Sequence, residues 1–197
     1  TTSDMAAAAA KEALEQAGLK ASDIDALIVA TSTADLTFPS AATMVQAKIG
    51  MERGFAFDVQ AVCAGFVFAL ANANAMILSG QAKRVMVIGA ETFSRIMDWD
   101  DRSTCVLFGD GAGALIVEAQ PGDGSTKDRG ILATDLHSDG RFRDILYVDG
   151  GVSTGTTGVL RMEGREVFRH AVEKLAKTAH TALEKVGISS DEVDWIV

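Results

Sequence analysis

Phe55-Ala-Phe-Asp-Val-Gln-Ala-Val62, then Cys63, then Ala64-Gly-Phe-Val-Phe-Ala-Leu-Ala-Asn-Ala-Asn-Ala-Met-Ile77: an extended apolar run becomes a helical one, with a thiol at the junction. A cysteine there stands at a helix N-terminus, where unpaired backbone N–H groups and the helix dipole favour the thiolate. Cys63 is therefore a candidate nucleophile. The competing reading is inert packing, because free cysteines are among the most buried residue types and usually act as small hydrophobes.

The pattern repeats on either side of this junction. Residues 1–17 read as a helix, with Ser3 or Asp4 as cap candidates and Gly18 as its stop. A polar turn follows, and then the apolar run Ala26-Leu-Ile-Val-Ala-Thr31. Residues 40–49 read as a second helix stopped by Gly50, and Arg84-Val-Met-Val-Ile-Gly89 as a buried strand. Residues 103–108 and 112–119 read as two further strands separated by a glycine turn. Strands alternating with helices, several apolar along their whole length, predict an α/β protein with a mixed sheet covered by helices on both faces. Beyond Pro121 the chain becomes turn-rich, with strands expected near 130–137 and 145–148. A long amphipathic helix is expected from about 165 to 186.

Ala13-Leu-Glu-Gln-Ala-Gly-Leu-Lys-Ala-Ser-Asp-Ile-Asp-Ala-Leu-Ile28 aligns without a gap on Ala182-Leu-Glu-Lys-Val-Gly-Ile-Ser-Ser-Asp-Glu-Val-Asp-Trp-Ile-Val197. A helix–turn–strand unit thus occurs twice, as a duplicated domain requires, with chance similarity as the alternative. The second copy stops where the first continues into a loop, so the chain is expected to be a fragment of a longer protein. The expected division is 1–149, carrying the thiol, and 150–197, the start of a second half.

Composition narrows the chemistry. The chain has 197 residues, 48% of them hydrophobic, enough for a substantial core. A formal charge of −9, with 18 basic residues scattered along the chain, argues against nucleic acid as a partner. Two cysteines make no disulfide framework, and no basic-then-apolar leader opens the sequence, so a cytoplasmic setting is expected. No apolar stretch approaches the roughly 18 residues of a membrane span.

Gly109-Asp-Gly-Ala-Gly113 is neither the dinucleotide fingerprint nor the phosphate-cradling lysine loop. Gly109, Gly111 and Gly113 are expected to form a turn that lets backbone approach the site closely. Cys105, in the run before them, reads as core. His170 and His180 on the long helix read as solvated or packing residues, and no metal site is expected.

Several ordered blocks together resemble the β-ketoacyl-acyl carrier protein synthase III family of the thiolase superfamily. They are Asp58-Val-Gln-Ala-Val-Cys-Ala-Gly-Phe66, Thr37-Phe-Pro-Ser-Ala41, Asp101-Arg-Ser-Thr-Cys-Val-Leu-Phe-Gly-Asp-Gly-Ala-Gly-Ala114, Met162-Glu-Gly-Arg-Glu-Val-Phe168 and Asp194-Trp-Ile-Val197. The resemblance implies a truncated thiolase-like fold. It also implies an acyltransferase that starts type II fatty-acid synthesis. Cys63 would take a short acyl group from acyl-CoA and pass it to the carbanion formed when malonyl-acyl carrier protein loses carbon dioxide. Acyl-CoA is a substrate in that scheme, and no resident cofactor is expected.

The same resemblance makes Phe38 a wall of the neighbouring subunit's acyl pocket and implies a homodimer. It assigns decarboxylation to a histidine and an asparagine from the family's second half, and neither His137, His170 nor His180 stands in that context. Two alternatives remain from the sequence: another thiolase-fold condensing enzyme, of polyketide or hydroxymethylglutaryl type, and a non-catalytic dimerising fragment.

Overall fold

The computed structural model describes all 197 residues. They form two compact units, Thr1–Gln120 and Pro121–Val197, so packing changes where the composition changes. The 149/150 division follows the sequence repeat and is a different partition from these packing units.

The first unit is built on a four-stranded sheet in the order β2-β1-β3-β4. β1 (Ala26–Ala30), β2 (Phe55–Val59) and β3 (Arg84–Thr92) are parallel, and β4 (Asp110–Glu118) runs antiparallel to β3. Alternation along the central strands sorts side chains onto two faces. Leu27, Val29, Met86 and Ile88 pack with Ala6, Ala10 and Leu14 of α1 (Thr2–Ala17) and Val45 of α2 (Ala41–Ile49). Ala26, Ile28, Ala30, Val85 and Val87 pack with Ala69 and Ala73 of α3 (Gly65–Leu78). Helices therefore cover both faces of a mixed sheet, as the sequence predicts.

Sequence signals explain the helix ends. Thr1, ahead of the two expected cap candidates, is the N-cap of α1, and its hydroxyl donates to Asp4 Oδ2 at 2.6 Å. Ser40 caps α2, accepting from the Thr43 N–H at 3.2 Å, and Gly50 closes that helix in the left-handed region.

The second unit holds α4 (Gly164–Val186) and a two-stranded ladder of β5 (Leu146–Val148) and β6 (Leu160–Met162). The repeat is visible in its local bonds. Gly18 N–H donates to Glu15 O and Leu19 N–H to Leu14 O, at 3.1 and 3.0 Å; Gly187 N–H donates to Glu184 O and Ile188 N–H to Leu183 O, at 3.2 and 3.1 Å. The next turn also matches: Asp23 accepts from the Lys20 N–H at 2.8 Å, and Glu192 from the Ser189 N–H at 2.9 Å.

Two expected strands are absent. Residues 103–108 form turns, because Asp101 accepts from the Ser103 N–H at 2.9 Å and the Thr104 hydroxyl at 2.9 Å. Such local bonds offer the backbone an alternative to a ladder. Cys105, read as core of that strand, is half-buried in these turns. Residues 130–137 form no strand either, since the one ladder of this unit joins β5 to β6. β3, in contrast, runs on to Thr92, past the expected stop at Gly89.

Candidate functional site

Cys63 sits where expected, between the end of β2 and the start of α3, in a short 3₁₀ turn over Val62–Ala64. The turn is sharp because Val62 has φ +49°, a left-handed conformation in which a β-branched residue is an outlier. Cys63 is exposed and is not part of this chain's core. Its N–H lies in the first turn, where the helical backbone offers no acceptor.

Beside the thiol is a pocket of about 290 Å³, at the small end of the ligand-site range. It is lined by Ala30, Phe66, Gly89 and Glu91 and by 111–113, along with Val62 and Cys63. It opens at the carboxyl ends of the parallel strands, where α/β sheets bind ligands.

Register explains why the pocket exists. Val59, Ala30, Gly89 and Gly113 form one row across the four strands, on the face that carries α3. One step back on the same face the row is Phe57, Ile28, Val87 and Leu115, which is filled. The side chains thus shrink abruptly at the strand ends, and the space they leave is the cleft. Gly111 and Gly113 leave that face of β4 bare, and a Cβ on either would meet nothing within 4 Å. Gly65 lets α3 begin close to the sheet, since a Cβ there would stand 3.3 Å from that of Ala30.

The glycines therefore work differently from the sequence expectation. Gly111 and Gly113 belong to a strand, spaced two apart on one face, while Gly109 precedes β4 and is not among the lining residues. Period-two spacing of glycines leading into an apolar run was the signal that could have revealed this. Asp110, between them, accepts from the Ser94 N–H and hydroxyl, both at 2.7 Å, which ties the exit of β3 to the start of β4. Those two bonds hold its carboxyl below the usual carboxylate range.

Phe38 lies outside the pocket lining, 82% exposed on the loop between β1 and α2. No histidine lines the pocket. His137, His170 and His180 belong to the second unit, where His137 meets Asp135 and His170 packs at a tilt against Phe142, ring centroids 4.1 Å apart. Glu91 is a lining residue that the sequence reading passed over. What the arrangement offers chemically is an accessible sulfur at a strand-to-helix turn with a cleft beside it. That combination suits acyl transfer through a thioester.

Residues 57–140 match the family described as 3-Oxoacyl-[acyl-carrier-protein (ACP)] synthase III. Over its whole length the chain is 78% identical to a β-ketoacyl-[acyl-carrier-protein] synthase III of Cereibacter sphaeroides, and it spans 61% of that relative's length. The structure of 3-oxoacyl-[acyl-carrier-protein] synthase III from Aquifex aeolicus VF5 superposes with a TM-score of 0.89 at 44% identity, covering 98% of this chain and 59% of that one. The priming β-ketosynthase from the R1128 polyketide biosynthetic pathway superposes with a TM-score of 0.85 at 31% identity, covering 98% and 58%.

Proposed function

We propose, from the likeness of the whole chain to part of a β-ketoacyl-acyl carrier protein synthase III, that its protein is an acyltransferase initiating fatty-acid synthesis. The observation that carries the reading is the placement of Cys63: exposed, at a strand-to-helix turn, beside a cleft emptied by small residues. In the first half-reaction the Cys63 sulfur bonds to the acyl carbonyl of a short acyl-CoA, and the coenzyme A thiol leaves with the proton. In the second, malonyl-acyl carrier protein loses carbon dioxide, and its carbanion attacks the acyl carbonyl. The Cys63 thiolate is released, and a 3-oxoacyl-acyl carrier protein is formed. The cysteine carries the group between the two steps, so one difficult condensation becomes two easier displacements.

The donor is a substrate, and the reading includes no resident cofactor. Decarboxylation is assigned to a histidine and an asparagine outside this chain. A homodimer is part of the same proposal. The homodimer rests on the family likeness, and the exposed Leu36 and Phe38 on the loop between β1 and α2 accord with it. In it Phe38 would limit the partner's acyl pocket. The cytoplasm is the proposed setting; no helix is long and apolar enough to cross a membrane.

Intact mass after incubation with acetyl-CoA tests the reading. A gain of one acetyl group, lost in Cys63→Ser, is expected; no gain while iodoacetamide still labels Cys63 overturns it. The likeness to a polyketide priming ketosynthase supports a second reading, in which the condensation belongs to polyketide synthesis, and a preference of Cys63 for acetyl over longer acyl groups would speak against it. Competition between acetyl-CoA and hexanoyl-CoA for Cys63 separates the two.

A further inference from the structure

We propose that Glu91 is a positioning residue: it fixes the loop between β1 and α2 against the rim of the Cys63 pocket and so sets which acyl groups Cys63 accepts. The proposal rests on the acyl-transfer reading above. Glu91 is the one ionisable carboxylate lining the pocket, and both of its oxygens are turned to the loop. Oε1 accepts from the Ser32 N–H at 2.8 Å, and Oε2 accepts from the Thr33 hydroxyl.

The Thr33 hydroxyl oxygen in turn accepts from the Thr92 N–H at 2.8 Å, so loop and strand end are cross-linked in both directions. Thr2 of α1 closes the network. Its hydroxyl donates to Thr33 O at 2.5 Å and lies 2.9 Å from the Thr92 hydroxyl. Hydrogen bonds to a charged acceptor are the stronger kind, and the loop is held here even though Ser32 Oγ is buried without a partner.

A second carboxylate holds the far end of the same loop. Asp58, on β2 five residues before the nucleophile, accepts from the Ala41 and Ala42 N–H groups at 2.8 and 2.7 Å, at the start of α2. A third, Asp35 within the loop, accepts from the Ser3 N–H and hydroxyl at 2.7 and 2.9 Å. The segment carrying Leu36 and Phe38 is therefore anchored by β3, which lines the pocket through Glu91, and by β2, which leads into the Cys63 turn. Its apolar side chains point outward, 53% and 82% exposed, so apolar packing does not hold it there. Of the three carboxylates, Glu91 is the one that joins the loop directly to the pocket lining.

The test compares acylation of Cys63 by acetyl-, butyryl- and hexanoyl-CoA in the full-length enzyme, read by intact mass, for wild type, Glu91→Gln, Thr33→Val and Thr33→Ser. Glu91→Gln and Thr33→Val are expected to change the acetyl-to-hexanoyl rate ratio by about tenfold, while iodoacetamide labelling of Cys63 stays within about twofold of wild type. Thr33→Ser, which keeps the hydroxyl, is expected to retain the wild-type ratio. An unchanged ratio in folded Glu91→Gln and Thr33→Val overturns the proposal. So does an equal loss at every chain length together with lost labelling, which marks a merely structural role. If wild type accepts no acyl group at all, the acyl-transfer reading falls first and takes the proposal with it.

Discussion

Gly89 lies directly against the ring of Phe66: a Cβ built on the glycine would stand 3.3 Å from Phe66 Cδ2. Gly89 is the centre of the small-residue row and Phe66 the first aromatic of α3, so this contact sets how closely helix and sheet approach beside the thiol. Gly89→Ala forces the ring to shift by a few tenths of an ångström and is expected to destabilise by about 1–2 kcal/mol, the range of mild overpacking. Urea denaturation measures the loss. A variant as stable as wild type would show that the ring yields freely and that the contact fixes nothing.

Gly113→Val separates stability from access. Gly113 pairs with Gly89 in the row, its Cβ position is open, and its φ is not positive. Valine suits a strand better than glycine, so stability should be unchanged or up to about 1 kcal/mol higher. The side chain would stand on the face that bounds the cleft. Labelling of Cys63 by a bulky maleimide should slow at least severalfold relative to iodoacetamide. Equal slowing of both reagents, or of neither, contradicts the assignment of this row as the floor of the cleft.

The left-handed Val62 implies stored strain next to the nucleophile. Asn tolerates that conformation far better than a β-branched residue, and the Val62 side chain is half-exposed, so little burial is lost. Val62→Asn is expected to stabilise by about 0.5–1 kcal/mol, since strain of this kind amounts to roughly 1–3 kcal/mol. Acylation of Cys63 should slow as the turn loosens. A loss of more than about 1 kcal/mol in thermal denaturation would mean that the conformation carries no penalty here.

What could be read from the sequence was periodic or local: the strand-to-helix switch at Cys63, the Ser40 and Gly50 ends of α2, and the duplicated Gly18 and Gly187 stops. Each depends on residues within a few positions of one another. What could not be read depends on distant partners or on backbone that residue type does not betray. Nothing in Ala61-Val62-Cys63 announces a positive φ, and nothing near Glu91 points to Ser32 and Thr33, some 58 residues away. The apolar run 105–108 reads as a strand until Asp101 is seen bonding Ser103 and Thr104. Phe38 shows a further limit, because its proposed role concerns a second copy of the chain.

Asp135 gives the second unit a pH-dependent tie. Its carboxylate, nearly buried, accepts from Lys185 Nζ of α4 and meets His137 Nε2, both at 2.7 Å. The Lys185 hydrogen bond, aided by His137, outweighs the opposing effect of desolvation and holds the carboxyl below the usual carboxylate range. A carboxyl whose pKa is lower folded than unfolded adds stability that is present above its unfolded value, near 3.9. That stability is lost as pH falls through the lower folded value. Wild type should therefore exceed Asp135→Asn in urea at pH 7, and the gap should narrow at pH 3. A gap equally wide at both would show that charge is not its source.

Gly18 and Gly187 provide a matched comparison between the two copies of the repeat. They end α1 and α4 at φ +65° and +67°, with the same pair of closing hydrogen bonds, and a Cβ on either would meet nothing within 4 Å. Neither site adds a steric contact, so the cost of alanine is that of the left-handed backbone alone. Gly18→Ala and Gly187→Ala should each destabilise their own unit by about 1 kcal/mol, and the Asn variants by clearly less. Hydrogen exchange at the amides of 18–19 and 187–188, which close the two helices, reads each unit separately. Faster exchange in Gly18→Ala but not in Gly187→Ala would mean that the second helix end is not held as the first is, and the local equivalence of the repeats would fail at that turn.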